Sequence, residues 1–217
     1  MNGLLEKDFC IILKRKKYLL TLLIVFVWTG FFVEQEFSLA YLPLIVTMFM
    51  LGTIGCDEAD NGMAFLMTLP HSAKDYAKEK YLLGVILGGA ATVINLIIQI
   101  AASVFKGTDL SIMSCVVSAV ILIPGWTFLL AVTLPCELKF GVEKGRIVMF
   151  IVYGILIAVA IGARSILRNS GVNTDELLNS FSSIPDVVIV LALVVASLVI
   201  LFISLLIAIK IMKTKEY

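Results

Sequence analysis

The sequence is poor in the side chains that carry out enzymatic chemistry inside membranes. Its 217 residues include a single histidine, His71, beside a proline in a polar stretch. A membrane metalloprotease needs paired ligands such as HExxH, and a serine protease of this kind needs a base facing its serine within the membrane. The GxxxxGK[ST] phosphate loop and the GxGxxG fingerprint are missing too. These absences predict a non-enzymatic chain with no catalytic residue, no metal site and no cofactor of its own.

Cysteine and buried charge are also scarce. The four cysteines, Cys10, Cys56, Cys115 and Cys136, lie in or beside apolar runs without CxxC spacing, which predicts free thiols rather than disulfides or metal ligands. Charged residues make up 15% of the chain and are concentrated between the apolar runs. Carriers coupled to protons or sodium usually hold a charge mid-membrane, so the pattern favours an energy source outside this chain. The net charge of +1 gives no indication of a nucleic acid partner.

Apolar residues, by contrast, dominate the sequence. They make up 60% of it, with a mean hydropathy of +1.06, and a soluble domain has nearer half, so an all-α integral membrane protein is predicted. Each of six apolar runs approaches the roughly 20 residues of a spanning helix. Within one domain, 1–217, we expect an interfacial helix (1–17), spans 1 and 2 (18–56), a cytoplasmic loop (57–81), spans 3 and 4 (82–135), a cytoplasmic link (136–146), span 5 (147–163), an external segment (164–186), span 6 (187–209) and a tail (210–217).

The N-terminal segment has two faces. Its apolar side chains on one face are Leu4, Leu5, Phe9, Ile12 and Leu13, and the polar ones opposite are Glu6, Lys7, Asp8 and Lys14. This pattern predicts an amphipathic helix in the membrane interface. An ordinary cytoplasmic stub before the first span is the alternative.

The distribution of basic residues predicts the orientation. All of the 17 lysines and arginines except Lys106, Arg164 and Arg168 belong to the N-terminus, the loop 57–81, the link 136–146 or the tail. Because positive residues favour the cytoplasmic side, both termini are expected to be cytoplasmic.

The polar stretch from Cys56 to Tyr81 shows the most internal order. Asp57, Glu58 and Asp60 suit the start of a helix, which is expected to run to about Leu69 before Pro70 stops it. Its apolar face is formed by Gly62, Phe65, Leu66 and Leu69, with Met63 and Met67 beside them. An apolar face in a solvated loop indicates contact with lipid or a partner. Ser72 and Asp75 then form a capping box for a second helix.

Few polar residues fall inside the predicted spans. Asn95 and Gln99 are one helical turn apart in span 3, so both side chains point the same way, either to bond another helix or to line a substrate path. Gly84, Gly88 and Gly89 in span 3, and Gly154, Ala158 and Gly162 in span 5, allow close helix packing within or between subunits.

The external segment carries a second capping signal. Thr174 can cap a short helix whose apolar residues include Leu177 and Phe181, before Pro185 restarts the chain. Both a helix dipping back toward the membrane and a plain surface loop fit this pattern.

One set of motifs resembles a known family. The stretch Glu58 to Gly62, then Leu69-Pro70-His71-Ser72 and Lys80-Tyr81-Leu82, is similar to the signature that precedes the third span in ABC-2 type permeases. In size and layout the chain is similar to the membrane subunits of phenol-soluble modulin and antimicrobial-peptide exporters. The resemblance implies a bacterial plasma-membrane location, a second permease copy (identical or a sibling), and a separate cytoplasmic ABC ATPase that carries ATP and Mg.

The resemblance also implies roles for particular residues. By position it assigns a coupling helix, which contacts the ATPase, to Glu58, Gly62, Met63, Phe65, Leu66 and Leu69, and an external gate segment to residues around Thr174, Leu177 and Phe181. The expected function is the permease subunit of an ATP-driven exporter of amphipathic peptides. The alternatives are a permease for lipid-like or drug substrates, a non-transporting immunity or assembly protein, and, less favoured, an intramembrane enzyme.

Overall fold

The chain folds into helices wherever its structure is described. A computed structural model describes residues 2–32, 35–59, 62–68, 72–106, 112–169 and 186–214. These residues contain no strand and form seven helices, which are α1 (Asn2–Lys14), α2 (Lys16–Phe32), α3 (Gln35–Glu58), α4 (Gly62–Thr68), α5 (Ala73–Lys106), α6 (Ile112–Asn169) and α7 (Asp186–Thr214). The predicted all-α class is confirmed.

Three stretches are long and apolar enough to cross a membrane. Within the described residues these are Ala73–Lys106, Cys115–Ile155 and Val188–Thr214, and α2 adds the shorter apolar stretch Leu19–Thr29. The remaining predicted spans are helical as far as they are described. The helices therefore fit a multi-pass membrane protein, and the number of six spans stays a prediction.

The boundary between the fourth and fifth spans differs from the sequence interpretation. Residues 136–146, predicted as a polar link, belong to α6, which continues through Pro124 and Pro135 and is interrupted at Gly141 (φ 78, ψ 168). Helices packed among other helices tolerate proline because their neighbours satisfy the freed backbone groups. The positive φ suits glycine, which has no Cβ. The same helix extends to Asn169, into the predicted external segment.

The predicted second loop helix and span 3 are one continuous helix, α5. The capping box at its start is confirmed, because the Ser72 hydroxyl donates to Asp75 Oδ2 at 2.6 Å and the Asp75 backbone N–H donates back to Ser72 Oγ at 3.2 Å. The helix then runs without interruption to Lys106, 34 residues in all. A displacement at its polar start is therefore carried along a rigid element.

Close packing of α5 against α6 depends on small residues, as predicted. A methyl group on Gly88 would lie 2.6 Å from the Trp126 ring, and one on Gly84 would collide with the Leu130 side chain. At Gly154 and Gly162, in contrast, a methyl group would meet no described atom within 4 Å. Gly84 and Gly88 of span 3 thus serve packing within the chain, whereas Gly89 of the same span, like Gly154 and Gly162 of span 5, has no such contact among the described residues.

The main apolar core lies at the end of the bundle where α1, α4 and the start of α5 meet. Its buried residues come from six helices and include Ile12, Ile54, Met63, Leu83, Leu134 and Met212. A hydrogen-bonded link runs through this end, since Tyr81 of α5 is bonded to Ser204 of α7 at 2.5 Å and Ser204 donates to the carbonyl oxygen of Ala131 in α6. This core positions the charged side chains described next.

Candidate functional site

A buried ion-pair network joins α1, α3 and α5. Lys80 is fully buried, and its ammonium pairs with Asp8 of α1 and, at 2.9 Å, with Asp57 Oδ2 at the end of α3. Lys7 reaches the other oxygen of Asp57 at 2.5 Å. The Tyr76 hydroxyl donates to Asp57 Oδ2 at 2.9 Å. Asp57, at the end of α3, therefore accepts hydrogen bonds from side chains of α1 and α5.

Further contacts surround the ammonium of Lys80. Lys80 also donates to Thr53 Oγ1 at 3.0 Å and lies 5.1 Å from the centre of the Tyr76 ring. Glu79 is buried beside it, with Oε2 3.9 Å from Lys80 Nζ. Because lysine is almost never fully buried unless it is paired, these partners explain how Lys80 can lie in the core.

The network also sets the protonation of Asp57 and Lys7. Burial alone would raise the pKa of Asp57, but the charge of Lys80 and the hydrogen bond from Lys7 hold it below its ordinary value. Burial alone would lower the pKa of Lys7, but the hydrogen bond to Asp57 and the charges of Asp57 and Asp8 raise it. Both groups are therefore held in their charged forms at neutral pH.

The acidic residues Asp57 and Glu58 do not begin a helix, so that prediction was wrong. They end α3, and the short helix α4 begins only at Gly62; Asp60 lies outside the described residues. Carboxylates at a helix C-terminus face the negative end of its dipole. The position is tolerated because Lys7 and Lys80 compensate Asp57.

Asp8 was also misplaced by the sequence interpretation. It was expected on the polar face of α1, but it is fully buried, whereas Leu13, expected on the apolar face, is exposed. Asp8 is four residues from both Leu4 and Ile12, which are buried, and residues at this spacing share a helix face. The spacing could have indicated a buried aspartate, but nothing local identifies its partner Lys80.

The short helix α4 divides the predicted coupling residues between its two sides. Met63 is buried in the core and Leu66 packs against it, whereas Phe65 is 67% exposed. A methyl group on Gly62 would lie 2.8 Å from the Asp57 carbonyl oxygen, so glycine permits α4 to start against the end of α3. Leu69 lies outside the described residues. Among the described side chains of α4, Phe65 is therefore the large apolar one that lies exposed.

Glu58 has a contact of its own within the chain. Its Oε2 accepts a hydrogen bond of 2.8 Å from the backbone N–H of Val142, directly after the break at Gly141. The first N–H groups of a helix lack partners within it, so Glu58 caps the part of α6 that follows the break. This ties the end of α3 to α6.

The polar pair of span 3 faces inward. Asn95 is fully buried and Gln99 is 4% exposed, which agrees with the prediction that they point the same way. Thr174, Leu177 and Phe181, the predicted gate residues, lie outside the described residues. Among the residues that are described, no group of three or more His, Cys, Asp or Glu side chains could hold a metal ion.

Comparison with models of known protein families gives a match over nearly the whole chain. A family model described as "ABC-2 family transporter protein" matches residues 3–213. This range covers all of the described helices apart from Asn2, the first residue of α1, and Thr214, the last residue of α7. No curated protein and no solved structure matches the chain.

Proposed function

The chain belongs to the ABC-2 transporter family, a family of multi-pass membrane components of ABC transporters, and we propose that it is the permease subunit of an ATP-driven exporter that docks on its ATPase through α4. The observation that carries this proposal is the position of Phe65. It is exposed on a helix whose opposite side, Met63, is embedded in the core. An exposed aromatic side chain on a firmly anchored support is typical of an interface anchor.

The ion-pair network gives the docked helix a route to the spans. α4 starts against the carbonyl oxygen of Asp57, and the carboxylate of Asp57 is paired with Lys80 near the start of α5. Glu58 in turn caps the second part of α6. A force applied to α4 by a moving ATPase would therefore reach two long helices through short polar contacts.

Other parts of the proposal draw on family membership. ATP and Mg are held by the ATPase subunit, and two permease copies, identical or sibling, form the pathway in the plasma membrane of a bacterium. The open space beside Gly154 and Gly162 is suited to packing against a helix of the second copy. We propose amphipathic, membrane-active peptides as the substrate and residues near Thr174, Leu177 and Phe181 as the external gate.

The test replaces Phe65 with aspartate. Phe65→Asp places a charge in the proposed contact and removes its apolar anchor, so co-purification of the ATPase with the permease should fall at least about tenfold. Leu66→Asp is less suitable because Leu66 packs on the core. The matched control is Phe105→Asp, which alters an 81% exposed phenylalanine at the other end of α5.

The outcomes separate the candidate functions. Loss of the ATPase with Phe65→Asp but not with Phe105→Asp, at equal amounts of membrane-inserted permease, supports docking through α4. Equal co-purification for both variants would reject α4 as the contact. If the unaltered chain brings down no ATPase at all, the immunity or assembly function becomes the better explanation.

A further inference from the structure

A cavity lies between α3 and the two parts of α6, away from the outward side of α4. Its volume is ≈ 580 Å³, within the range of about 300–1,000 Å³ usual for small-molecule sites. Its wall is mainly apolar, and the residues that matter here are Met48, Gly52, Glu137, Arg146, Phe150 and Tyr153.

Two buried polar atoms on residues of this wall have no hydrogen-bond partner among the described atoms. The Glu137 side chain belongs to a residue that is only 4% exposed, and its Oε2 makes no hydrogen bond to any described atom. The buried hydroxyl of Tyr153 is without a described partner as well. Leaving a buried carboxylate oxygen unpaired is costly, so a complementary group in the cavity would be bound favourably.

The neighbouring charges do not supply that group. Arg146 lines the same cavity, but it is exposed and is not among the cations within 4 Å of a described carboxylate. Glu58, the nearest carboxylate of α3, accepts from the Val142 N–H. The cavity thus offers one buried carboxylate and one buried hydroxyl in an apolar setting, and the exposed guanidinium of Arg146 is the other charged group on its wall.

This combination selects the chemistry of the ligand. A primary ammonium has three donors and no acceptor, which suits a carboxylate oxygen and a hydroxyl oxygen. A neutral apolar molecule would leave Glu137 unpaired, and an anionic one would be repelled by it. Phe150 is 72% exposed, so the cavity opens onto the apolar surface of the helices and can be reached from the bilayer.

We propose that this cavity binds lipophilic primary amines, with the ammonium on Glu137 and the apolar chain along Met48 and Phe150. Tyr153 adds a hydroxyl oxygen on the same wall. This assignment is independent of the docking of α4, because none of its lining residues belongs to that helix. An aminophospholipid headgroup and a non-lipid amphiphile share this chemistry.

The test uses a pair of photoreactive probes. The full chain is placed in phosphatidylcholine nanodiscs with a twelve-carbon diazirine amine or with the matching diazirine alcohol, and labelled positions are mapped by mass spectrometry. Because a charge-assisted hydrogen bond favours the amine, labelling of α3 and α6 around Gly52 and Phe150 should be about tenfold stronger with the amine. Equal labelling by amine and alcohol would overturn the proposal.

Three variants locate the effect. Glu137→Gln should remove the preference for the amine while leaving labelling by the alcohol. Gly52→Leu should reduce labelling by both probes, since a side chain on Gly52 meets no atom within 4 Å and would project into open space. Gly125→Leu is the control. Gly125 is exposed, a Cβ there would also meet no atom within 4 Å, and the residue does not line the cavity, so labelling by both probes should stay unchanged. A preference for the amine that survives Glu137→Gln would contradict the assignment.

The two sources of the amine are separated by the lipid. If phosphatidylethanolamine in the nanodisc suppresses labelling by the amine probe, the site takes a lipid headgroup. If labelling is unchanged at equal probe concentration, the site takes a non-lipid amphiphile. Both results support an amine site, provided that the preference for the amine depends on Glu137.

Discussion

Two sets of buried carboxylates in this protein have opposite surroundings. Asp8 and Asp57 are buried with Lys7 and Lys80 between them, and the structure supplies each with at least one close cation. Glu137 is buried to a similar degree, but it takes part in none of the ion pairs among the described residues. The first set joins helices, whereas the second faces a cavity.

The difference indicates what each set is for. A paired buried charge fixes the arrangement of the helices that carry it, because separating the pair exposes each charge to an apolar interior. An unpaired one contributes nothing to that arrangement and is a recurrent feature of functional sites in membranes. Stability measurements on single substitutions can therefore distinguish the two sets.

The largest effect is expected at Lys80. Lys80→Met removes the fully buried cation and leaves Asp8 and Asp57 to share the partly exposed Lys7, so the free energy of unfolding should fall by about 3–5 kcal/mol. The measurement is the unfolding equilibrium in mixed detergent micelles. Lys78→Met, at an exposed position on the same helix, should change it by less than about 0.5 kcal/mol.

A second substitution verifies the cause. Adding Asp8→Asn to Lys80→Met removes the carboxylate charge that has lost its closest cation, so part of the lost stability should return. If the loss in free energy of unfolding in the double variant equals the sum of the losses in Lys80→Met and Asp8→Asn alone, the two residues act independently. In that case the network does not join α1 to α5.

Local signals in the sequence predicted some features of this region well. The capping box of Ser72 and Asp75, the packing roles of Gly84 and Gly88, and the helical nature of every described apolar run depend on residues close in sequence or on hydropathy. Such features need no knowledge of the tertiary fold.

The ion-pair network could not be predicted from such local signals. Asp8 and Lys80 are 72 residues apart, and each looks like an ordinary surface charge in its own segment. The break at Gly141 was missed because Pro135 gives a stronger local stop signal, although packed helices tolerate proline. Glu137 was assigned to a polar cytoplasmic link, so its burial beside a cavity could not be foreseen.

An intermediate effect is expected at Asp57, and it depends on pH. The pKa of Asp57 is held below its ordinary value by Lys80 and Lys7, so its contribution to stability is present above the unfolded-state pKa and is lost as pH falls through the folded-state pKa. Asp57→Asn should cost about 1.5–3 kcal/mol at pH 7, and this cost should shrink below about pH 4. A cost that is equal at pH 7 and pH 3.5 would show that the charge of Asp57 is not what stabilises the fold.

The smallest effect is expected at Glu137, and its sign is the informative part. Glu137→Gln removes a charge that lacks a full set of partners, so the free energy of unfolding should not fall and should rise by about 1 kcal/mol. Glu143→Gln, at an exposed position three residues before Arg146, is the control and should be neutral. A loss of more than about 1 kcal/mol would mean that Glu137 has a structural partner after all, and it would then belong with Asp8 and Asp57. A gain in stability combined with loss of the amine preference would separate the two sets of carboxylates, because it would show that the Glu137 charge serves binding at the expense of stability.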